Sequence, residues 1–375
     1  MPKRSLLILL VVFAQIDLLR AASPYEAGEH GQGRLQFING LPVLIVQGKP
    51  EEMGEQIGVL TRKPLQKLHH FPQDYLRSFG YRGLWPILVR VSNSMKPSFP
   101  KHHLTELNAI IRSAGLDHDL AVAGNTFTDI KKIGACSTLI VEPKRTATAS
   151  LLFGRNLDYR TLGYLHDYTL VMIYRPAGKH AFASIGFPGF IGCLSGINDA
   201  GLAVAVLEVY ASKDKSLGFD PTGTPYAMCF RRVLEECTTI AEAKNLLQSM
   251  KRTTWVNLAV CDQQTGAVLE ITPNNIVERR PEQGICPCTN HFRSSKLGDK
   301  HVRCRRYQAL ERSFAIDKIT MEDMRQLLHD SRQECLTFQT MIFEPKTLTL
   351  HLAIGRPPTT ARPLKRLELK PLLKP

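Results

Sequence analysis

Residues 134–158 constrain the fold of this chain more than any other stretch. Gly134-Ala135-Cys136-Ser137-Thr138-Leu139-Ile140-Val141 and Leu151-Leu152-Phe153-Gly154-Arg155-Asn156-Leu157-Asp158 are two short apolar runs. A polar, proline-containing segment, Glu142 to Ser150, joins them. Runs of that length, rich in Leu, Ile and Val, predict the two strands of a β-hairpin. A hairpin brings the charged residues Arg155 and Asp158, at the end of the second run, back beside the thiol of Cys136 at the head of the first.

The rest of the chain repeats the hairpin theme between helical blocks. Leu35 to Val46 holds two apolar runs around Asn39-Gly40, the strongest short hairpin signal. Pro50 and Glu51 open a helix through Met53, Gln56, Ile57, Val59 and Leu60. Residues 63–130 read as mainly helical, with Leu104, Leu107, Ile110 and Ile111 at helical spacing. Hairpins are expected for Leu170–Tyr174 with Ala181–Ile185, for Leu258–Cys261 with Ala267–Ile271, and for Phe338–Phe343 with Thr347–Ala353. Between them Asn198 to Gly201 is a turn, Ala203 to Val209 a buried strand, and 224–237, 239–250 and 320–330 helices. Thr239 with Glu242, and Thr320 with Asp323, cap the last two. Arg303 to Phe314 is a basic helical segment. Hairpins with segregated helices predict stacked α and β layers, not a doubly wound parallel sheet.

Composition limits the function classes. The 375 residues are 43% hydrophobic and 22% charged, as in globular proteins, with a net charge of +14. No zinc-finger spacing, aromatic-interleaved basic block or Gly-rich phosphate loop is present, which argues against nucleic-acid and nucleotide binding. Residues 1–23 read as an export signal: Lys3 and Arg4, the apolar run Leu6–Ala14, then Ala21-Ala22-Ser23. That run is shorter than the ~20 residues a membrane span needs. The mature chain is therefore expected to be exported and free of integral membrane segments. Residues 356–375, basic and proline-rich, read as a mobile tail.

Nine cysteines leave at least one unpaired in an exported chain, compatible with a reactive thiol and up to four bridges. No metal or other cofactor is expected. Cys286-Pro-Cys288 is too tight for a zinc knuckle. The adjacent pairs His69-His70 and His102-His103 do not share a helix face, so surface or core roles are expected.

A thiol needs activation, and three devices are open to Cys136. His291 is the base if the enzyme is papain-like. Redox use wants a resolving cysteine nearby, and no C-x-x-C occurs. Breakage of the Ala135–Cys136 bond gives Cys136 an α-amine that can serve its own thiol, its pKa being about 7.7–8.0 when unperturbed.

Cys136-Ser137-Thr138 with Gly154-Arg155-Asn156-Leu157-Asp158 resembles the N-terminal-nucleophile hydrolases. The likeness is to the penicillin (isopenicillin-N) acyltransferase family and, more distantly, to choloylglycine hydrolases and acid ceramidases. Further marks are Glu52-Met53-Gly54-Glu55-Gln56-Ile57-Gly58, Ser195-Gly196-Ile197-Asn198-Asp199-Ala200-Gly201-Leu202, Thr289-Asn290-His291-Phe292 and Arg306-Tyr307. The resemblance implies an α+β fold, a four-layer αββα sandwich of two mainly antiparallel sheets flanked by helices. It implies Cys136 as autoproteolytic nucleophile, Arg155 on the substrate side and Asp158 as partner of the α-amine. Asn198 and Asn290 would contribute to the oxyanion site, and Arg306 would be an active-site arginine. Bland roles stand beside these: a turn residue for Asn198, a strand-end cap for Asn290, and a structural ion pair for Arg155 and Asp158.

The resulting expectation is a cysteine amidohydrolase or acyltransferase acting on linear amides of small molecules through a thioester on Cys136. Its organisation would be 24–135 as a mainly helical precursor segment that stays associated after cleavage, 136–355 as the catalytic domain, and 356–375 as the tail. The rivals are a papain-like hydrolase using His291 and a non-enzymatic exported binding protein, for which the basic tail is the support.

Overall fold

A computed structural model describes residues 23–132 and 134–374. The expected export signal lies, but for Ser23, outside the described residues. In chain order the strands are β1 (Gly28–His30), β2 (Gly33–Ile38), β3 (Leu41–Gly48), β4 (Ala135–Val141), β5 (Leu152–Asp158), β6 (Leu170–Pro176), β7 (Phe182–Gly186) and β8 (Ser195–Asn198). They continue as β9 (Ala203–Glu208), β10 (Val256–Cys261), β11 (Gly266–Ile271), β12 (Ile276–Arg279), β13 (Ile285–Cys288), β14 (Thr337–Glu344), β15 (Thr349–Ile354) and β16 (Lys365–Glu368). The helices are α1 (Pro50–Leu60), α2 (Arg62–Leu68), α3 (Phe71–Ser78), α4 (Trp85–Met95), α5 (Lys101–Ala114) and α6 (His118–Ile130). After the β4–β5 hairpin come α7 (Tyr226–Glu236), α8 (Ile240–Ser249), α9 (Arg305–Glu311), α10 (Met321–Asp330) and α11 (Lys370–Leu373).

Two sheets form. One has ten strands in the order β1-β2-β3-β6-β7-β8-β9-β10-β11-β12, the other six in the order β13-β4-β5-β14-β15-β16. All pairs are antiparallel except β3 with β6. The period-2 alternation of strand side chains divides the core. Val43, Ile45, Val171 and Ile173 of the large sheet meet Ile140, Phe153, Met341 and Phe343 of the small one. The other face of the large sheet packs Leu44, Val46, Met172 and Val204 against Ile57, Ile110, Phe230 and Leu247 of helices. The other face of the small sheet packs Leu139, Val141 and Ile342 against Leu310, Met324 and Leu328. The layers are thus α-β-β-α, as the resemblance implied.

Local chemistry explains the details. Asn39 and Gly40 both have positive φ, 51° and 70°, which gives the β2–β3 turn the hand that suits twisted strands. Thr239 and Thr320 form the expected capping boxes. Gly54 and Gly58 let α1 lie close on α5: a Cβ at these positions would meet Glu106 O at 2.3 Å and Ser113 Oγ at 1.9 Å.

The segment before Cys136 is mainly helical, and β1, β2 and β3 tie it into the large sheet, where β3 pairs with β6. One expectation is corrected. Residues 356–374 are not a loose tail. β16 adds to the edge of the small sheet beside β15, and Leu367, Leu369 and Leu373 are buried. Arg366 and Glu368 alternate with Leu367 and Leu369, so the stretch is an amphipathic edge strand whose basic residues obscured its apolar period.

Candidate functional site

The hairpin register sets the site. Cys136 lies opposite Leu157, Thr138 opposite Arg155 and Ala135 opposite Asp158. Alternation then sends Cys136 and Arg155 to one face of the small sheet and Asp158 to the other. Arg155 points between the sheets, where its Nε donates to Ser195 Oγ at 3.2 Å. Asp158 points the opposite way, accepting from Thr337 Oγ1 at 2.5 Å and lying 3.5 Å from Arg306 Nη1. Among the described residues no ion pair joins Arg155 to Asp158, so the structural-pair reading fails. Arg155 approaches the sulfur, while Asp158 faces Arg306, whose Nη1 reaches the Cys136 carbonyl.

Two residues grip the main chain of Cys136. Cys136 N–H donates to Asn290 Oδ1 at 2.7 Å, and Arg306 Nη1 donates to Cys136 O. Arg306 Nη2 donates to the same Asn290 Oδ1 at 2.8 Å. Asn257 fixes the turn carrying Asn290 by donating to the carbonyls of Thr289 and His291. Asn290 Nδ2 is spent on Glu208 O at 2.8 Å. Asn290 therefore faces the nitrogen of Cys136 through its oxygen, while its Nδ2 turns to Glu208 O.

Asn198 does not join this group. Its Nδ2 donates to Leu234 O and Cys237 O at the end of α7, and its Oδ1 accepts from Ala200 N and Leu202 N. Every polar atom of that amide is used in holding a turn against a helix. The run Gly196-Ile197-Asn198-Asp199-Ala200-Gly201-Leu202 is a structural device here.

His291 is not placed as a base. It contacts Thr289 Oγ1 at 3.1 Å and Arg293 Nη1 at 3.3 Å, and stacks near Tyr307. Burial, with Arg293 beside it, pushes it down to about 4. The nine cysteines are all unbridged.

Electrostatics around the thiol are divided. Burial pushes the Cys136 thiol up, and the Arg155 guanidinium pulls it back. Burial also raises Asp158 to about 6, against the hydrogen bond from Thr337 and the charge of Arg306. Arg155 is fully buried, yet neither of its Nη atoms has a hydrogen-bond partner, and Asp158 Oδ2 has none either. Unspent polar atoms in a dry interior are costly and rare, so the two bare nitrogens of Arg155 beside the thiol mark a place built for something else to enter.

Glu208 and Tyr210 escaped the sequence reading. At the end of β9, Glu208 accepts from Gly134 N at 2.8 Å, and Tyr210 Oη donates to Gly134 O at 2.5 Å. They hold the residue next to the Ala135–Cys136 bond. No motif announces them; a carboxylate closing a strand of Ala, Val and Leu was the available signal.

A second polar group lies elsewhere. His102 and His103, on the first turn of α5, both reach Glu235 of α7, so adjacency did not keep them apart. Together with Glu235 their ligand atoms lie within 4.8 Å of one another. Arg231 Nε and Lys179 Nζ already donate to that carboxylate at 2.8 and 3.0 Å. With two cations answering Glu235, the donor set suits a salt-bridge network better than a metal ion.

Relatives can now be set beside this geometry. An uncharacterized protein of Archaeoglobus fulgidus is 25% identical over 274 residues, 64% of this chain and 45% of that protein. Protein dcd1A of Dictyostelium discoideum is 27% identical over 305 residues, 69% of this chain and 67% of its own length. The chain thus spans under half of the first relative and about two thirds of the second. Among solved structures, a Caenorhabditis elegans N-acylethanolamine-hydrolyzing acid amidase ortholog overlays with a TM-score of 0.43 at 18% identity, covering 56% of this chain and 93% of that one. A conjugated bile acid hydrolase from Clostridium perfringens overlays at 0.45 and 15%, covering 63% and 93%. Penicillin V acylase from Agrobacterium tumefaciens overlays at 0.42 and 14%, covering 58% and 83%. The profile of the acyl-coenzyme A:6-aminopenicillanic acid acyl-transferases matches residues 144–361. That is more than half of the sequence and runs through β5 to β15, and the chain belongs to that family.

Proposed function

We propose that the chain is a self-processing cysteine amidohydrolase or acyltransferase whose nucleophile is Cys136. One observation carries the reading: a buried thiol beside a guanidinium with unspent donors, its own amide N–H held by Asn290 Oδ1 and its carbonyl by Arg306, whose guanidinium lies 3.5 Å from Asp158. In processing, Cys136 Sγ attacks the Ala135 carbonyl carbon. The C–N bond breaks, the thiol proton passes to the departing nitrogen to give the free α-amine, and a thioester forms. Water then releases the Ala135 carboxylate and leaves Cys136 as an N-terminus. Glu208 and Tyr210, which hold Gly134, position the bond.

In the mature enzyme the α-amine takes the thiol proton, and the thiolate attacks a substrate amide. Negative charge then develops where the Arg155 Nη groups stand unspent, and such donors lower the barrier by several kcal/mol. Asp158 and Asn290 Oδ1 hold the ammonium until it protonates the leaving amine. Water, or a second nucleophile, takes the acyl group. The 24–135 piece stays bound, which its three sheet strands support. Export follows from the reading of residues 1–23.

Intact mass and N-terminal sequencing of the expressed chain test the proposal against a Cys136→Ala variant. The expected result is a new N-terminus at Cys136 in the parent and an uncut variant without turnover. Cutting at 136 in the variant, or turnover of an acyl amide by it, ends the proposal.

A further inference from the structure

We infer that the end of the molecule beside the processing bond docks on an anionic lipid surface, through a basic patch from which apolar side chains stand out. Two loops form the patch, residues 210–218 after β9 and residues 293–305 after β13. Together they hold seven lysines and arginines against two acids, Asp214 and Asp299. The loops lie on one another: Lys213 N donates to Leu297 O at 2.9 Å, and Ser212 Oγ reaches the same carbonyl at 3.5 Å. Val209, Phe292 and Leu297 form a small apolar cluster of their own at the base.

The two acids do not answer the cations. Asp214 accepts from Ser212 Oγ, Ser216 Oγ, Thr272 Oγ1 and Asn275 Nδ2 at 2.5–2.9 Å, and Asp299 Oδ1 accepts from His301 N at 2.8 Å. Lys213, Lys215, Lys296, Lys300, Arg303 and Arg305 are all exposed, and among the described residues none of them enters an ion pair. Exposed cations elsewhere do find carboxylates, as Arg34 finds Glu29 and Arg112 finds Glu51.

Among these charges Leu217 is 69% exposed, Tyr210 52% and Val302 43%. A lone exposed leucine means little. Set among unpaired cations it matches a surface that meets a bilayer, where the cations reach anionic headgroups and apolar side chains enter the interface. A nucleic acid would find little to stack on, because Tyr210 Oη is tied to Gly134 O and Leu217 and Val302 are aliphatic. The patch adjoins the processing bond: Tyr210 opens the first loop, and Arg306, which donates to Cys136 O, follows the second. A docked chain would turn the Cys136 end of the molecule toward the lipid.

The test is flotation of the expressed chain with vesicles of phosphatidylcholine, alone or in equal parts with phosphatidylserine. We expect partitioning onto the mixed vesicles only, falling as salt is raised. Each basic residue near such a surface is worth about fivefold, so Lys213→Gln, Lys296→Gln and Arg303→Gln together should weaken partitioning about a hundredfold. Lys101→Gln, Lys346→Gln and Lys370→Gln, at exposed positions elsewhere, should leave it nearly unchanged. Leu217→Ser should weaken it about tenfold with no change of charge. Thermal transitions check that each variant folds. Absence of binding to the mixed vesicles, or equal losses from the two glutamine sets, would overturn the inference. Binding that ignores Leu217→Ser and is displaced by a DNA duplex would also overturn it, by assigning the patch to soluble polyanions. Each of those results leaves the thioester mechanism standing, since the uncut Cys136→Ala chain can be floated in the same way.

Discussion

Two buried ionic groups in this protein invite comparison. In the first, Arg231 donates to both oxygens of Glu106, to Glu235 Oε1 and to Ile191 O, and stacks on Tyr174 and Phe182. His102, His103 and Lys179 complete it on Glu235. In the second, Arg155 is equally buried but has one bond, from Nε to Ser195, and leaves two nitrogens bare. The first group ties α5, before Cys136, to α7, after it. The second ties down little and stands beside a thiol. A matched network is a joint, whereas an unmatched one is a site awaiting a partner.

The comparison can be broken by exchanging the roles. The largest effect is expected from Cys136→Ala, which should lower amide turnover by at least roughly 10⁴-fold while leaving the thermal transition in place. Next, Arg231→Met strands Glu106 and Glu235 without their cation and should cost about 3–5 kcal/mol in denaturant unfolding. Arg155→Met removes the same charge from the other group. It should leave unfolding nearly unchanged, yet slow thioester formation by about 10²–10³-fold in a burst assay. If the two arginine variants lose equal stability, the distinction between joint and site is wrong.

Asn198→Ala separates motif from mechanism. Losing four hydrogen bonds should cost about 1–3 kcal/mol in a melt, with the rate constant of self-cleavage at residue 136 unchanged. The smallest effect concerns Asp158. Burial raises its folded value to about 6, above the usual carboxylate range, so the folded state holds the proton more tightly than the unfolded one. Its contribution is present below pH 4 and is lost as pH rises from about 4 to 6. In the uncut Cys136→Ala chain, Asp158→Asn should therefore lessen the fall of the denaturation midpoint across that window.

Much of the fold was legible because its signals are local. Asn39-Gly40, the threonine caps at 239 and 320, and the alternation of residues 337–354 each act over a few residues. The basic edge strand Lys365–Glu368 was missed because a charge run and an amphipathic strand look alike until a neighbouring strand supplies a register. Asn198 was misassigned for a related reason. A buried asparagine in a turn signature has the same one-dimensional appearance whether its amide faces a substrate or a helix end. Glu208 and Tyr210 had no motif at all, since their partner is the backbone of Gly134, far away in sequence.

The sequence by itself determined the hairpin at 134–158, and with it the approach of Arg155 and Asp158 to Cys136, because antiparallel pairing across a short turn is a short-range matter. Only the tertiary structure decided that Asn290 closes on the nitrogen of Cys136 and Arg306 on its carbonyl oxygen. Those are contacts between elements over a hundred residues apart, and packing, not propensity, chooses them.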